Sequence, residues 1–258
     1  RYWQILPLTP TGYGDSPYQS LGACAGNHYL IDLDTLADEG LLKKEEIQNV
    51  SWGNNPKRVD FGAMYAHRMA VLRLAFQRFA PDETYEAFVE QNRSWLEDYA
   101  LFMALKGSLG GKPWLDWPED LRLRKADALA EKRRELSEEI GLQYFVQYEF
   151  DRQWKALRGY ANAKGVRIIG DVPIYVPLDS ADVWANPELF QLDERRHPKR
   201  VAGCPPDSFT ADGQLWGNPI YDWKKMAQTH YSWWIQRLTA AGKLYDVIRL
   251  DHFRGFES

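Results

Sequence analysis

Two short runs of β-branched residues, each ending in a carboxylate, constrain the fold of this chain more than any other feature. They cover residues 166–171 and 246–251. Between them lie a segment rich in Pro, Gly, Asp and Asn, over 173–218, and an amphipathic helical pattern over 223–241. Another helical pattern, over 142–163, precedes the first run. Alternating strands and helices are typical of parallel βα units, so the sequence predicts an α/β fold with buried strands.

The opening segment predicts a third buried strand and helps to divide the chain. Residues 2–8 form a short apolar run that proline ends, and a Gly- and Pro-rich loop follows over 9–20. Residues 36–140 are mostly helical in pattern and far longer than one crossover, so we expect an inserted subdomain there. Residues 1–35 would then hold one strand with its loop, and residues 141–258 would hold the other two strands.

Local signals set the expected helix boundaries. Asp60 is a predicted N-cap for a helix that ends before Pro81. Residues 119–139 mix both charge signs densely, which is typical of a solvated helical face. Gly141 is expected to separate that face from the next helix.

Charge and cysteine content bear on partners and compartment. The net charge is −4, whereas nucleic acids and anionic membranes favour a concentrated positive surface, so we expect neither partner. No apolar run approaches the roughly 20 residues that span a bilayer. Cys24 and Cys204 stand alone, and neither a calcium loop nor a zinc spacing is present, so we expect no metal and a reducing cytoplasm. A plastid location stays open, because a transit peptide could precede the printed residues.

Aromatic residues are abundant, with 11 Trp and 14 Tyr. Their flat apolar faces and polar edges suit sugars, although burial in a large core explains any single one equally well.

Arg249 and Asp251 are the first candidates for chemistry. They are two positions apart, so on a strand their side chains point the same way. An adjacent arginine lowers the pKa of a carboxylate and keeps a nucleophile charged at neutral pH. Asp171 ends the other strand, and paired carboxylates in one cleft are usual in glycosidases. An ordinary ion pair at a strand end is the alternative interpretation.

Four sequence blocks, spread over nearly the whole chain, carry a family resemblance. They are PTGYGDSPYQS at 10–20, GDVPI at 170–174, PPDSF at 205–209 with QLWGNP at 214–219, and RLDHFRG at 249–255. Together they resemble, in the same order, the motifs of glycoside hydrolase family 77, the amylomaltases or disproportionating enzymes of the α-amylase clan. The resemblance implies a (β/α)₈ TIM barrel, present here as a partial barrel of about strands 2–4 with a large helical insertion.

The resemblance also implies an activity and its catalytic residues. The enzyme would be a 4-α-glucanotransferase that moves α-1,4-glucan segments between maltooligosaccharides by a retaining double displacement, without a cofactor. Asp251 would be the nucleophile that forms a covalent glucosyl-enzyme, and Arg249 would hold it ionised. Asp171 would hydrogen-bond the sugar in the −1 subsite. The clan's acid glutamate follows the fifth strand and a His-Asp pair follows the seventh, so we expect this sequence to be partial and without its general acid.

Further residues are implied as substrate contacts. Tyr18 would stack on the −1 sugar, and His252 would contact a donor sugar. A mobile acceptor-site loop over 203–218 would cover the site and exclude water. The remaining implied contacts are Gln214, Trp216, Asn218 and Asp207 in this loop, and Tyr13 further from the scissile bond.

Two other functions stay open on the sequence alone. One is another α-amylase-clan enzyme, either a hydrolase or the transferase domain of a debranching enzyme. The other is a non-catalytic glucan-binding fragment. The sequence does not predict the oligomeric state or the preferred glucan length.

Overall fold

The computed structural model describes residues 1–206, 208 and 210–256, which form a mixed α/β structure. The strands in these residues are β1 (Tyr2–Gln4), β2 (Arg167–Val172), β3 (Val201–Cys204), β4 (Gln214–Pro219) and β5 (Val247–Leu250). The α-helices in the same residues are α1 (Leu33–Asp38), α2 (Lys44–Gln48), α3 (Phe61–Phe76), α4 (Glu83–Ser108), α5 (Glu119–Arg122), α6 (Ala126–Glu135), α7 (Ser137–Ala163), α8 (Ala181–Ala185), α9 (Trp223–Gln228) and α10 (Ser232–Leu244).

Three strands form a parallel sheet in the order β1-β2-β5. Asp171 of β2 lies opposite Arg249 of β5, and Trp3 of β1 lies opposite Ile168 of β2. The sheet extends by one further bond, because the Asp251 N–H donates to the Val172 carbonyl over 3.1 Å. The predicted parallel strands are therefore confirmed, and their carboxyl ends meet at one edge.

The first strand, predicted to be buried, is exposed within the described residues. β1 is only three residues long, and Tyr2 and Trp3 are 62% and 50% exposed. Among the described residues, β1 lies at an edge of the sheet and pairs with β2 alone, whereas β2 has a strand on each side. The central strand is consequently the buried one, with Ile168 fully covered.

Some helix boundaries follow the sequence signals and others do not. The Asp60 side chain accepts a hydrogen bond from the Ala63 N–H, so this N-cap is confirmed. α3 ends at Phe76, earlier than the expected end before Pro81. Gly141 does not separate two helices, because α7 begins at Ser137 and runs through it. The long α7 packs against α4, and this tertiary packing outweighs the weak helix propensity of one glycine.

The segments on either side of β4 are more structured than expected. The stretch predicted as a loop over 173–218 contains α8 and an antiparallel hairpin of β3 and β4. The single helix expected over 223–241 is instead α9 and α10. The break between them contains His230 and Tyr231, which both have left-handed backbone angles, with φ of 52° and 58°.

Two large hydrophobic clusters support the sheet and its carboxyl edge. One packs β2 against α7, α3 and α10 through Ile168, Val172 and Phe145. The other packs α4 against α8 and the segment that follows β2, through Phe102 and Trp184. The second cluster lies beneath the residues after Asp171, so it fixes the surroundings of the strand ends. Within the described residues, no helix is long and apolar enough to cross a membrane.

Candidate active site

One arginine joins the two carboxylates at the carboxyl edge of the sheet. Arg249 donates from Nη1 to Asp171 Oδ2 over 2.8 Å and from Nη2 to Asp251 Oδ1 over 2.7 Å. Register explains the contact, since Asp171 and Arg249 are paired residues of neighbouring strands and therefore lie on the same face. The expectation that the two strand ends meet is confirmed.

Tyr18 completes this cluster from the loop that follows β1. Its hydroxyl donates to Asp171 Oδ2 over 2.6 Å. Burial and this hydrogen bond raise the pKa of Tyr18 to about 12, so the phenol remains a neutral donor at physiological pH. The loop is tightly folded: a Cβ on Gly12 would lie 1.7 Å from the Gln19 carbonyl oxygen, which only glycine permits.

The two carboxylates differ in accessibility. The Asp171 side chain is 2% exposed, whereas that of Asp251 is 37% exposed. Asp171 Oδ1 is buried without a hydrogen-bond partner among the described residues. The charge of Asp171, and then that of Asp251, raises the pKa of Arg249 above its usual value. Arg249 is thus a permanent cation between one anchored carboxylate and one that a ligand can reach.

A cleft of about 710 Å³ opens beside Asp251. Its described lining residues are Tyr18, Gln19, Pro173, Ile174, Tyr175, Gln214, Trp216, Asn218, Asp251 and His252. The rings of Trp216 and His252 meet edge to face with centroids 4.8 Å apart. Aromatic faces next to amide and carboxylate groups suit a ligand with apolar faces and many hydroxyls.

The hairpin corrects the expectation of a loop around the acceptor site. Gln214, Trp216 and Asn218 belong to strand β4, which pairs with β3 at Cys204 and Gly203. Gln214 and Trp216 are two apart and share a face of the strand, whereas Asn218 borders the cleft from beyond the register shift and the left-handed Gly217. The Trp216 Nε1–H also donates to Gln214 Oε1 over 2.9 Å.

Four residues predicted for the site are not among the described lining residues, and one of them is Arg249, which reaches the cleft through its bond to Asp251. Asp171 lies behind Tyr18 and Arg249 and borders a small neighbouring pocket. Tyr13 is 93% exposed in a short 3₁₀ turn. Asp207 lies outside the described residues. The sugar contacts expected of the other three stay predictions.

Four lining residues were not predicted from the sequence: Gln19, Pro173, Ile174 and Tyr175. Gln19 directly follows Tyr18, and the other three directly follow β2, which ends at Val172. Their positions next to motif residues and after a parallel strand were the available signal. In the described part of the chain, no group of three or more His, Cys, Asp or Glu side chains is arranged to hold a metal ion.

The chain is similar to known proteins over its whole length. A family model described as 4-alpha-glucanotransferase, glycoside hydrolase family 77, matches residues 1–258. A 4-alpha-glucanotransferase of Thermus thermophilus is 52% identical over 264 residues, covering 100% of this chain and 52% of the relative. One of Clostridium butyricum is 48% identical over 261 residues, covering 100% of this chain and 54% of the relative.

A solved structure shows the same similarity. The amylomaltase of Streptococcus agalactiae in complex with acarbose superposes with a TM-score of 0.94 at 46% identity, covering 99% of this chain and 52% of that one. The chain spans about half the length of the curated relatives that it matches.

Proposed function

Because this chain belongs to glycoside hydrolase family 77, the 4-alpha-glucanotransferases, we propose that its protein transfers α-1,4-glucan segments between maltooligosaccharides. One observation carries the proposal: a single guanidinium holds a buried carboxylate and an accessible one, and the accessible one borders an aromatic cleft. The related S. agalactiae amylomaltase was solved with acarbose, and we propose that the cleft here takes a ligand of the same kind.

Asp251 is the proposed nucleophile. Its Oδ1 accepts from Arg249, and no donor among the described residues contacts its Oδ2, which leaves that oxygen for the anomeric carbon of a donor glucan. Attack forms a bond between Asp251 and the anomeric carbon and breaks the glycosidic C–O bond. The departing sugar oxygen takes a proton from a general acid. In a retaining enzyme the two carboxyl groups are roughly 5–5.5 Å apart.

The second half of the reaction reverses the first. A hydroxyl of the acceptor sugar attacks the anomeric carbon and breaks the bond to Asp251. Its proton returns to the residue that acted as acid. Asp251 is the only carboxylate among the described residues that line the cleft, so the acid comes from outside that set. The resemblance to the family assigns it to a glutamate after a later strand.

The neighbouring residues prepare this chemistry. Arg249 holds the Asp251 carboxylate in place, and Asp171 anchors both Arg249 and Tyr18 from behind the cleft. Tyr18 offers a ring face to the −1 sugar, while the contacting rings of Trp216 and His252 line another part of the cleft. The β3–β4 hairpin would favour an acceptor sugar over water by covering the bound glucan.

We further propose that β1, β2 and β5 are strands 2–4 of a (β/α)₈ barrel. The site lies at the carboxyl ends of parallel strands, which is where such barrels place their chemistry. The likeness to the amylomaltase structure supports the same arrangement.

Incubation of the complete gene product with maltotriose tests the function. Transfer gives glucose and a ladder of longer maltooligosaccharides, whereas a hydrolase gives only glucose and maltose. We expect Asp251→Asn to lower the rate of transfer by about 10³-fold or more while sugar binding persists. A variant that keeps its activity would contradict the assignment of Asp251, and binding without any turnover in the unmodified protein would favour a glucan-binding role.

A further inference from the structure

The segment that follows β2 connects the two strand ends of the site. Ile174 and Tyr175 line the cleft and are 4% and 9% exposed. The segment also packs against the turn after Asp251, since a Cβ on Gly255 would lie 2.8 Å from Ile174 Cγ1 and 3.1 Å from the Tyr175 hydroxyl. A shift of this segment would therefore move both a wall of the cleft and the turn that follows the nucleophile.

The backbone of this segment has left the sheet, so its buried carbonyl groups need other partners. Arg237 of α10 donates hydrogen bonds to two of these carbonyl groups. It donates from Nη2 to the Pro173 carbonyl over 2.6 Å and from Nη1 to the Ile174 carbonyl over 3.2 Å. The Tyr221 hydroxyl donates to the same Ile174 carbonyl over 2.6 Å.

Arg237 is an unusual donor to these carbonyl groups because its charged side chain is buried. It is 5% exposed, and its guanidinium carbon lies 4.9 Å from the ring centroid of Trp234 and 5.5 Å from that of Trp233. Within the described residues, no carboxylate lies within ion-pair distance of its guanidinium, although Asp182 interacts with it electrostatically. A buried cation that lacks an ion-pair partner is costly, and neutral donors could satisfy the same carbonyls. What a guanidinium adds is a rigid planar pair of N–H groups that fixes two acceptors relative to each other.

Tyr175 links this clamp to the cleft. Its ring stacks on that of Tyr221, with centroids 5.7 Å apart and planes 21° apart. Its centroid is also 6.4 Å from that of Trp216 on the hairpin. The clamp formed by Arg237 and Tyr221 thus sets the backbone from which Tyr175 projects and the ring against which it rests.

We propose that Arg237 is a positioning residue of the active site, which fixes the segment from Pro173 to Tyr175 between the cleft and the Asp251 turn. This inference rests on the proposed function. It predicts a loss in kcat more than in KM, because sugar contacts are spread over many lining residues whereas the position of one nucleophile limits the chemical step.

The test compares two arginines that each bind two carbonyl groups. Arg158 donates to the carbonyls of Lys243 and Tyr245 over 2.6 and 3.0 Å, at the opposite edge of the sheet. Arg237→Met and Arg158→Met are made in the complete gene product, and kcat and KM for maltotriose are measured well below each melting temperature. We expect both variants to melt earlier. Only Arg237→Met should lower kcat, by about tenfold or more, with KM changed less than about threefold.

Two milder variants keep the proposal testable if Arg237→Met does not fold. Arg237→Lys retains the charge but not the planar pair of N–H groups, so it should still lower kcat by about threefold or more. Tyr221→Phe removes one bond and should lower kcat by about two- to fivefold. Unchanged kcat in Arg237→Met, or in Tyr221→Phe when the former does not fold, overturns the proposal, as does an equal loss in Arg158→Met. A complete absence of transfer by the unmodified protein would instead overturn the proposed function.

Discussion

The two edges of the parallel sheet both carry an Arg–Asp pair, but the pairs differ in how completely they are satisfied. At the amino edge, Asp246 Oδ1 accepts two hydrogen bonds from Arg158, at 3.1 and 2.7 Å. Its Oδ2 accepts from Asn162 over 2.9 Å and from the Ile168 N–H over 2.8 Å. At the carboxyl edge, Asp171 and Asp251 each leave one oxygen without a partner among the described residues.

This difference separates a structural pair from a catalytic one. Asp246 is 12% exposed and uses both oxygens within the fold, so it ties β5 to β2 and α7. Asp251 is 37% exposed and offers an oxygen to the cleft. An arginine beside an aspartate is therefore no evidence of function by itself. The unsatisfied acceptor that borders a cleft is the informative feature.

Removal of Arg249 should lower activity more than the changes at Asp246 and Tyr18. Arg249→Met leaves the buried Asp171 without its cation and frees Asp251 to change rotamer, so we expect kcat/KM for maltotriose to fall by about 10²-fold or more. Steady-state kinetics with Arg249→Lys as the matched variant provides the measurement. A loss below about threefold would show that the bridge has no role in catalysis.

The closed network at the amino edge should matter for stability and leave activity unchanged. Burial alone would raise the pKa of Asp246, but the hydrogen bonds from Ile168, Asn162 and Arg158 outweigh it and lower the pKa to about 2. We expect Asp246→Asn to destabilise the fold by about 2 kcal/mol at pH 7. Denaturant unfolding measures this loss of stability. In steady-state kinetics without denaturant, kcat of the variant should stay within about twofold of that of the unmodified protein.

The sign of the pH dependence follows from the lowered pKa. The unfolded carboxyl takes up its proton near pH 3.8 and the folded one near pH 2. The stabilisation by Asp246 is therefore complete above about pH 4 and disappears as the pH falls toward 2. If the stability difference between Asp246→Asn and the unmodified protein grows below pH 4, this explanation of the network is wrong.

Loss of the Tyr18 hydroxyl should have the smallest effect. Tyr18→Phe keeps the ring that faces the cleft but removes the 2.6 Å bond to Asp171, which retains Arg249 as a partner. We expect kcat/KM to fall about fivefold, near 1 kcal/mol. Tyr18→Ala, which also removes the ring, should lose substantially more. Equal losses in both variants would assign the effect to the hydrogen bond alone.

The sequence predicted the parts of the molecule that depend on local pattern. The β-branched runs gave the parallel strands, and their terminal carboxylates predicted the meeting of Asp171, Arg249 and Asp251. The motif residues Trp216 and His252 also lie together in the cleft. In each case the relevant spacing is a property of one strand or of two neighbouring strand ends.

The features that the sequence did not predict depend on contacts between segments far apart in the chain. The β3–β4 hairpin forms within a stretch whose Gly and Pro content is typical of a loop, and its pairing is not local. The exposure of β1 depends on which strands flank it, and sequence patterning does not reveal that. Arg237 lies on a helix more than 60 residues from the carbonyls it binds, so no motif could indicate it.

Identification of the residue that becomes glucosylated tests the central claim most directly. An α-glucosyl fluoride with a second fluorine at C5 slows breakdown of a covalent intermediate, because the fluorine destabilises the oxocarbenium-like transition state. The complete gene product is treated with this reagent, digested and mapped by tandem mass spectrometry, with Asp251→Asn as the control. Our account predicts a glucosyl ester on Asp251 and none on the variant. An ester on Asp171 or another carboxylate, or persistent labelling of the variant, would contradict it.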